Sequence, residues 1–331
     1  MARRVVFAFL TAVLLVTSAH LAGAAPIAPG DRAPDFVGKE FVNGEPCSLK
    51  SLRGQVVFLD IFRTWCGPCN EQAPHLTELH EKYGAKGLRV IGITNEPRSK
   101  VDAFVAKHSS KHMIVVEKTE SGDAFGTNTV PSPWLIGADG RVIAKGVPSE
   151  AQIEVALASV RLPPELPKAL QPLAAPLKKE RFGEVRTKVT TLLAGTTLVE
   201  GDRKAAEELG AWIDWRAGNA LEDAKAEGEK GRWYEATLSL ESAVTCFKGM
   251  PASTDAATQL KEILADKARK DAVTAGKRLE AAIERMREKD LDPEEAIPLF
   301  KAIASKYEET VPGKRAAAIV AELEEKQKKK D

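Results

Sequence analysis

Hydrophobic and polar positions follow different periodicities in the two parts of the chain. Between residues 26 and 160, short apolar runs such as Val56–Ile61 and Leu88–Thr94 alternate with amphipathic segments of helical spacing. This alternation predicts an α/β fold, a central mixed sheet flanked by helices, which we call the sheet region. Residues 181–331 lack such runs and repeat apolar positions every three, four or seven residues. They form a predicted all-helical domain, called the helical region.

Two further segments complete the predicted organisation. Residues 161–180 contain five prolines, and proline fixes φ and removes a backbone donor. We therefore predict that this proline-rich segment is a semi-rigid linker and a domain boundary. Residues 1–25 combine arginines, a short apolar stretch and small residues, the pattern of a cleaved signal peptide that directs export to the periplasm or cell envelope. An uncleaved N-terminal anchor is the alternative.

Weak internal similarity runs through the helical region. Stretches that start at Arg181, Arg232 and Asp292 each lead into an apolar helix, a polar break and an Ala-Ala pair. They resemble the hairpins of tetratricopeptide proteins, although their spacing exceeds the roughly 34 residues of that repeat. Three stacked hairpins would present a groove for a protein partner or a second copy of the chain. An irregular helical bundle is the alternative. The aromatic candidates for such a surface are Trp212, Trp215, Trp233 and Tyr234.

The charge balance and the number of cysteines exclude some classes of protein. The chain has 48 basic and 47 acidic residues, so no basic excess indicates a nucleic-acid partner. Four cysteines are too few for a disulfide scaffold. We expect Cys47 and Cys246, which are far apart in the sequence, to be small buried residues rather than a second disulfide.

The remaining cysteines, Cys66 and Cys69, lie three positions apart directly after the buried strand pattern. A strand that delivers a thiol to the first turn of a helix favours its thiolate, because the helix N-terminus stabilises negative charge. Cys66 is therefore the predicted nucleophile, ionised and partly exposed, and Cys69 the resolving thiol. The same spacing occurs in zinc sites, but no second pair of ligands follows. We expect a redox dithiol with neither a metal nor a cofactor.

The motif W-C-G-P-C at residues 65–69 resembles the thioredoxin superfamily. Passages at 30–36, 48–55 and 130–140 resemble the entry segment, the lead into the first central strand, and the cis-proline strand with its hairpin in the TlpA/ResA branch. That branch consists of exported thiol–disulfide oxidoreductases. The resemblance covers residues 29–160 and implies a thioredoxin-like fold for them.

The resemblance also assigns roles around the cysteines. Gly67 and Pro68 form the dipeptide of the motif, and Pro131 is expected to follow a cis peptide bond, so that nearby main-chain groups face the disulfide. Trp65 and Trp134 are expected to flank the same surface. Asp60 lies six positions before Cys66, where thioredoxin carries a buried acid.

We expect Asp60 to have a raised pKa and to accept the proton of Cys69. The branch usually has a glutamate three positions after the second cysteine, where this chain has Gln72. Glu71 is displaced by about 100° on a helix and should face elsewhere. This departure puts the usual acid in doubt and shifts its task to Asp60.

The predicted function is reduction of protein disulfides outside the cytoplasm. C-G-P-C is the thioredoxin dipeptide, and thioredoxin has a potential near −270 mV against about −120 mV for the oxidant DsbA. By resemblance, a membrane thiol protein would supply the electrons. One alternative is a helical scaffold with a regulatory redox domain. Another is a peroxiredoxin, since the entry segment also resembles that family, but Thr64 is only two residues before Cys66 and the proline of the peroxidatic motif is missing.

Overall fold

The computed structural model describes residues 27–117, 122, 125–127, 129–289 and 291–328. The predicted signal peptide, residues 1–25, lies outside the described residues. Within the described part, no helix is both long enough and apolar enough to cross a membrane.

A six-stranded sheet forms the centre of the sheet region, in the order β1-β4-β3-β2-β5-β6. Its strands are β1 Gly38–Val42, β2 Val56–Ile61, β3 Leu88–Thr94, β4 Met113–Glu117, β5 Ser132–Ile136 and β6 Val142–Lys145. β2, β3 and β4 run parallel, and the other pairs are antiparallel. The predicted mixed sheet is therefore confirmed. Every residue of β2 is buried, as expected for a central strand covered on both faces.

Among the described residues of the sheet region, three helices pack on one face of this sheet: α1 Gly67–Tyr83, α2 Arg98–His108 and α3 Glu150–Leu157. α1 and α2 share a face because the right-handed connections from β2 to β3 and from β3 to β4 step in the same direction along the sheet. Ser149 begins α3 with a capping box, its side chain bonded to Gln152. On the opposite face, Phe36, Leu49 and Leu52 from loops cover the sheet.

The chain enters β2 through a close contact with the end of the sheet region. Gly54 has φ +98°, and its backbone bonds to Ala138 and Arg161 at 2.8 Å each. A Cβ atom on Gly54 would come within 2.2 Å of the Arg161 carbonyl oxygen. Glycine is therefore required at position 54 for two reasons: φ is positive there, and the backbone of Arg161 approaches too closely to leave room for a Cβ atom.

The prediction of an all-helical C-terminal part is confirmed. Its helices are α4 Ala174–Lys178, α5 Phe182–Ala194, α6 Glu200–Glu229, α7 Trp233–Cys246, α8 Pro251–Ala265, α9 Lys267–Glu288, α10 Pro293–Lys306 and α11 Val311–Lys328. Arg181, Arg232 and Asp292, the starts of the similar stretches, immediately precede α5, α7 and α10. Each of these helices packs against the one that follows it, and α9 is inserted before the last pair.

The proline-rich segment differs from an extended spacer. It contains a 3₁₀ helix, Lys168–Leu173, followed by α4, and both Leu170 and Leu173 are buried in the core of the helical region. Pro176 is tolerated because it lies in the first turn of α4, where backbone N–H groups have no helical acceptor. The segment is thus packed as part of the helical region.

Buried charges join the two regions. Asp223 of α6 lies 2.6 Å from Arg32 and 3.4 Å from Arg53, and all three side chains are nearly inaccessible to solvent. Arg216, two turns earlier on the same helix, donates to the carbonyl oxygens of Ser51 and Arg53 at 3.2 and 2.9 Å. Because these partners precede β2, the helical region contacts the sheet at the end where β2 begins.

The aromatic residues proposed for a partner surface are all at least partly buried. Trp212 packs against the ring of Phe182 and the guanidinium of Arg216, and its Nε1 donates to the Arg161 carbonyl at 2.9 Å. Trp233 contacts Arg269, with the guanidinium 4.6 Å from the ring centroid. Trp212 and Trp233 thus pack within the helical region, and Trp212 also bonds to Arg161, which adjoins the sheet region.

Candidate active site

Cys66 and Cys69 lie at the start of α1, shortly after the end of β2. Cys66 is the N-cap residue of α1, and Pro68 occupies the first turn, where its fixed φ suits a helix start. The two cysteines form a disulfide with a Cα–Cα distance of 5.3 Å. The Sγ atom of Cys66 also accepts a hydrogen bond from the Cys69 backbone N–H at 3.3 Å. The sequence predicts this position, at the positive end of a helix.

The surroundings of the disulfide differ from expectation in two ways. Cys66 is only 5% exposed and Cys69 3%, so in the disulfide form the predicted contrast in exposure is small. Trp65 is 71% exposed beside them. Trp134 does not share that surface, and its prediction is wrong: it is fully buried and packs on Phe125 with ring centroids 5.2 Å apart. Its side chain follows the face of β5 that is turned away from α1.

Pro131 lies at the same end of the sheet as the cysteines. The Val130–Pro131 peptide bond is cis, as the sequence predicts. Ser132, the next residue, begins β5 and pairs with Ile61 at the end of β2. This register places Pro131 beside the segment that leads from β2 to Cys66.

Asp60 is on the α1 face of β2. Side chains alternate along a strand, and Val56 and Phe58 pack with Leu76 of α1, so Asp60 points to the same face. The side chain is 2% exposed, and its Oδ1 atom has no hydrogen-bond partner among the described residues. Burial raises the pKa of Asp60 to about 7, although a backbone hydrogen bond from Ser132 opposes that rise. A buried acid of this kind can exchange a proton near neutral pH.

The two candidates for the usual acid of α1 behave as expected. Glu71 is exposed to solvent. Gln72 is half-buried, and its Nε2 atom is buried without a hydrogen-bond partner among the described residues. Neither side chain supplies a buried carboxylate, which leaves Asp60 as the acid on this face of β2.

Sequence reasoning missed two polar residues that hold the turn before Cys66. Glu96, which follows β3, is buried and accepts hydrogen bonds from the backbone N–H and the hydroxyl of Thr64. Asn70 donates to the carbonyl oxygens of Thr64 and Cys66 at 2.9 and 2.7 Å. A signal for Glu96 existed, since the carboxyl ends of neighbouring parallel strands lie side by side.

The other titratable candidates lie away from the disulfide. Cys47 contacts the sulfur of Met113 at 3.6 Å, and burial raises the pKa of its thiol to about 11. Cys246 is a free, partly buried thiol near Ser242. Burial lowers the pKa of His112 to about 4. No cluster of three or more metal-ligating side chains occurs in the described part of the chain.

Comparisons with known proteins agree with this site. The sequence model of the AhpC/TSA family matches residues 29–145. Thiol-disulfide oxidoreductase ResA of Bacillus anthracis is 33% identical over 129 residues, covering 38% of this chain and 74% of the relative. ResA of Geobacillus thermodenitrificans is 30% identical over 139 residues, covering 41% of this chain and 79% of the relative.

Among solved structures, a thiol:disulfide interchange protein of the thioredoxin family from Chlorobium tepidum TLS is similar to 40% of this chain and 99% of its own, with 26% identity and a TM-score of 0.33. The family match lies within the sheet region and includes both cysteines and Asp60. Given the identity to ResA over most of that protein's length, the chain belongs to the ResA family of thiol–disulfide oxidoreductases.

Proposed function

We propose that this protein is an exported reductant of protein disulfides that works through Cys66 and Cys69, with Asp60 as the base for Cys69. The observation that carries the proposal is the buried carboxyl of Asp60, on the α1 face of β2, with its pKa raised to about 7. Cys69, which is buried, needs a proton acceptor before it can attack, and Asp60 is the buried acid on the face of β2 that α1 covers.

The proposed reaction transfers two electrons and two protons. The Cys66 thiolate attacks one sulfur of the substrate disulfide, and the other substrate sulfur leaves as a thiolate that takes up a proton. Asp60 then accepts the proton of Cys69, whose thiolate attacks the Cys66 sulfur and releases the second substrate sulfur as a thiolate. That thiolate takes up the proton held by Asp60, which returns the carboxylate to its starting form. The enzyme ends as the disulfide, and the substrate as a dithiol.

Substrate contact would occur at the exposed rim of the disulfide. Trp65 offers an apolar surface there, and the strand that follows Pro131 brings backbone groups to the same end of the sheet. An extended segment of a partner protein can bind such a rim by main-chain hydrogen bonds and apolar contact. This arrangement suits protein disulfides better than small ones.

The test of direction is the reduction potential of the purified full-length protein, measured by equilibration with glutathione. A value nearer to the −270 mV of thioredoxin than to the roughly −120 mV of DsbA supports a reductant. A value near that of DsbA would contradict it. Cys66→Ser, as the control, should lose insulin reduction while keeping the far-ultraviolet spectrum of the parent.

Export and electron supply are part of the same proposal. Residues 1–25 would direct export, and a membrane thiol protein would reduce the disulfide after each cycle. Fusion of residues 1–25 to a reporter that is active only outside the cytoplasm tests the first step. Trapping of a mixed disulfide with a membrane protein in Cys69→Ser cells tests the second. Inactive reporter fusions would contradict export.

The helical region would bind a partner or a second copy of the chain. An open cleft of about 700 Å³ lies between α6, α7, α8 and the first turn of α9, and its lining mixes apolar residues such as Leu221 with charged ones such as Glu222 and Lys225. Analytical ultracentrifugation of the full-length protein, alone and after Leu221→Asp at a partly exposed position of the cleft, tests self-association. If the redox activity proves dispensable for partner binding in cells, the alternative of a scaffold with a regulatory redox domain is favoured.

Peroxidase activity is the second candidate, because the AhpC/TSA family model matches this chain. The site disfavours it. Thr64, two residues before Cys66, has both its hydroxyl and its backbone N–H bonded to Glu96, so neither is available to a peroxide. Thiol-dependent consumption of hydrogen peroxide, measured with Cys66→Ser as a blank, decides between the two.

A further inference from the structure

Glu96 is a buried carboxylate beside the active site that the proposed reaction does not use. Its Oε1 accepts the Thr64 hydroxyl at 2.8 Å and its Oε2 accepts the Thr64 backbone N–H. The hydroxyl of Thr94 lies 3.4 Å from Oε2. Lys100 approaches Oε1 at 3.6 Å, but this side chain is 59% exposed and its charge is screened by water.

The turn that carries Cys66 is fixed relative to this carboxylate. Thr64 is bonded at its backbone N–H and hydroxyl by Glu96 and at its carbonyl by Asn70. Asn70 also accepts from Lys107 at 2.9 Å and contacts Nε2 of His108 at 2.8 Å. The negative charge of Glu96 is therefore held at a constant position beside Thr64, two residues from Cys66.

We propose that Glu96 is a positioning residue whose fixed negative charge disfavours the Cys66 thiolate and biases the Cys66–Cys69 pair toward the disulfide. This rests on the proposed function as a reductant, which it deepens. A stabilised reduced form makes an oxidant, as in DsbA, so a destabilised thiolate makes a stronger reductant. Glu96 thus opposes the helix N-terminus, which stabilises the same thiolate.

Other charges around Cys66 do not cancel this effect. Asp60, whose pKa burial raises to about 7, adds negative charge only above neutral pH. The pKa of His108 is lowered by burial, so its ring is neutral at pH 7. Arg63 lies in this turn, and Lys100 and Lys107 contact Glu96 and Asn70, which hold it. Lys100 and Lys107 are solvent-exposed and Arg63 is partly exposed.

The test is Glu96→Gln in the full-length protein, equilibrated with glutathione. Removal of the Glu96 charge beside Thr64 should shift the equilibrium between the Cys66–Cys69 disulfide and the dithiol about tenfold toward the dithiol. This shift is equivalent to a reduction potential about 30 mV higher. The pKa of Cys66, read from thiolate absorbance, should fall. Glu71→Gln removes an exposed carboxylate of α1 as the matched control and should change the equilibrium less than about twofold.

Thr64→Val separates charge from hydrogen bonding, because it removes the hydroxyl bond to Glu96 and keeps the carboxylate. It should leave the potential near that of the parent; a shift as large as that of Glu96→Gln would make the effect structural and overturn the proposal. An unchanged or lower potential in folded Glu96→Gln would overturn it as well.

If Glu96→Gln does not fold, the reduction potential of Lys100→Met is measured instead, by the same equilibration with glutathione. Loss of this cation, whose charge water screens only in part, should lower the potential slightly, and a value above that of the parent would overturn the proposal. All these are differences from the parent. These differences test the role of Glu96 independently of the absolute potential of the parent. The proposed function as a reductant is tested by the absolute potential of the parent alone.

Discussion

Both ends of the central strand β2 have a buried aspartate nearby, and the two are placed in opposite electrostatic settings. Asp60, near the end that leads to Cys66, has an unbonded oxygen and no ion-pair partner among the described residues, and burial raises its pKa to about 7. Asp223, at the other end, lies within ion-pair distance of Arg32 and Arg53. A buried carboxyl without a cation can exchange a proton near neutral pH, whereas one between two guanidinium groups joins two parts of the chain.

The distance between these sites makes them separable by mutation. A strand of six residues spans about 20 Å, which exceeds the screening length in physiological salt. Substitutions at the Asp223 end should therefore change stability without changing the chemistry of the disulfide. Substitutions at the Asp60 end should change the chemistry of the disulfide, with an effect on stability that depends on pH.

Asp223→Ala should have the largest effect. It leaves Arg32 and Arg53 buried without their partner, which costs about 3–5 kcal/mol of unfolding free energy. Denaturant unfolding measures it. Asp214→Ala is the matched control, since Asp214 lies on the same helix in an ion pair with the partly exposed Arg186 and should cost less than about 1 kcal/mol. Equal costs for the two variants would show that the contact between the regions contributes little.

Asp60→Asn should slow resolution of the mixed disulfide by about a hundredfold at pH 7.5, while its formation changes little, because only the Cys69 step needs the base. In the parent, the resolution rate should rise with pH through about 7, where the carboxyl loses its proton. Stopped-flow reduction of a model disulfide measures both steps. An unaltered pH profile in Asp60→Asn would remove Asp60 from the mechanism.

Asp60 and Asp31 should respond to pH with opposite signs, because burial raises the pKa of Asp60 and the hydrogen bond from Lys230 lowers the pKa of Asp31. The pKa of Asp60 is raised in the folded state, so the folded protein binds more protons than the unfolded chain between about pH 4 and 7. Stability from the neutral Asp60 is therefore lost as pH rises through that window, and Asp60→Asn should gain stability relative to the parent at pH 8 but not at pH 4. Circular dichroism melts across pH compare the two proteins.

The smallest effect belongs to the ion pair between Asp31 and Lys230 at the edge of the contact. The hydrogen bond from Lys230 lowers the pKa of Asp31, so its contribution is present above about pH 4 and is lost as pH falls further. Lys230→Met should cost less than about 1 kcal/mol at pH 7. The difference from the parent should shrink as pH falls below the ordinary pKa of an aspartate, and a difference that stays constant there would indicate packing instead of charge.

The features that the sequence predicts are those set by local patterns. Two cysteines after an apolar run locate the disulfide, and a count of six positions locates Asp60 on the strand. The direction of Trp134 could not be predicted in this way, since it depends on which face of β5 is turned toward α1. That parity is fixed only when Trp134 pairs with Leu59.

Specific contacts between distant parts of the chain could not be predicted either; for Glu96, the neighbouring parallel strands indicate only that it lies near the turn before Cys66. Glu96 reaches Thr64 across 32 positions, and Asp223 of the helical region reaches Arg32 near the start of the sheet region. Neither residue lies in a motif. The prolines of segment 161–180 indicate a break in helix, but they do not reveal that Leu170 and Leu173 are buried beneath it. Burial of this kind is decided by tertiary packing.

The contacts of α6 with the sheet region restrict where residues can be inserted into this helix or deleted from it. Its contacts with the sheet region and the adjoining Arg161 come from Trp212, Arg216, Asn219 and Asp223, spaced four, three and four residues apart along one side of a 30-residue helix. Insertion of a single residue between Arg216 and Asp223 would turn the later contacts by about 100° around the axis. An insertion of about seven residues makes nearly two turns, which would restore the direction of the later contact residues. It would, however, move these residues about 10 Å along the helix axis. Length changes in this part of α6 are therefore incompatible with the present contact, whereas additions near Glu200, before the first contact, leave its phase intact.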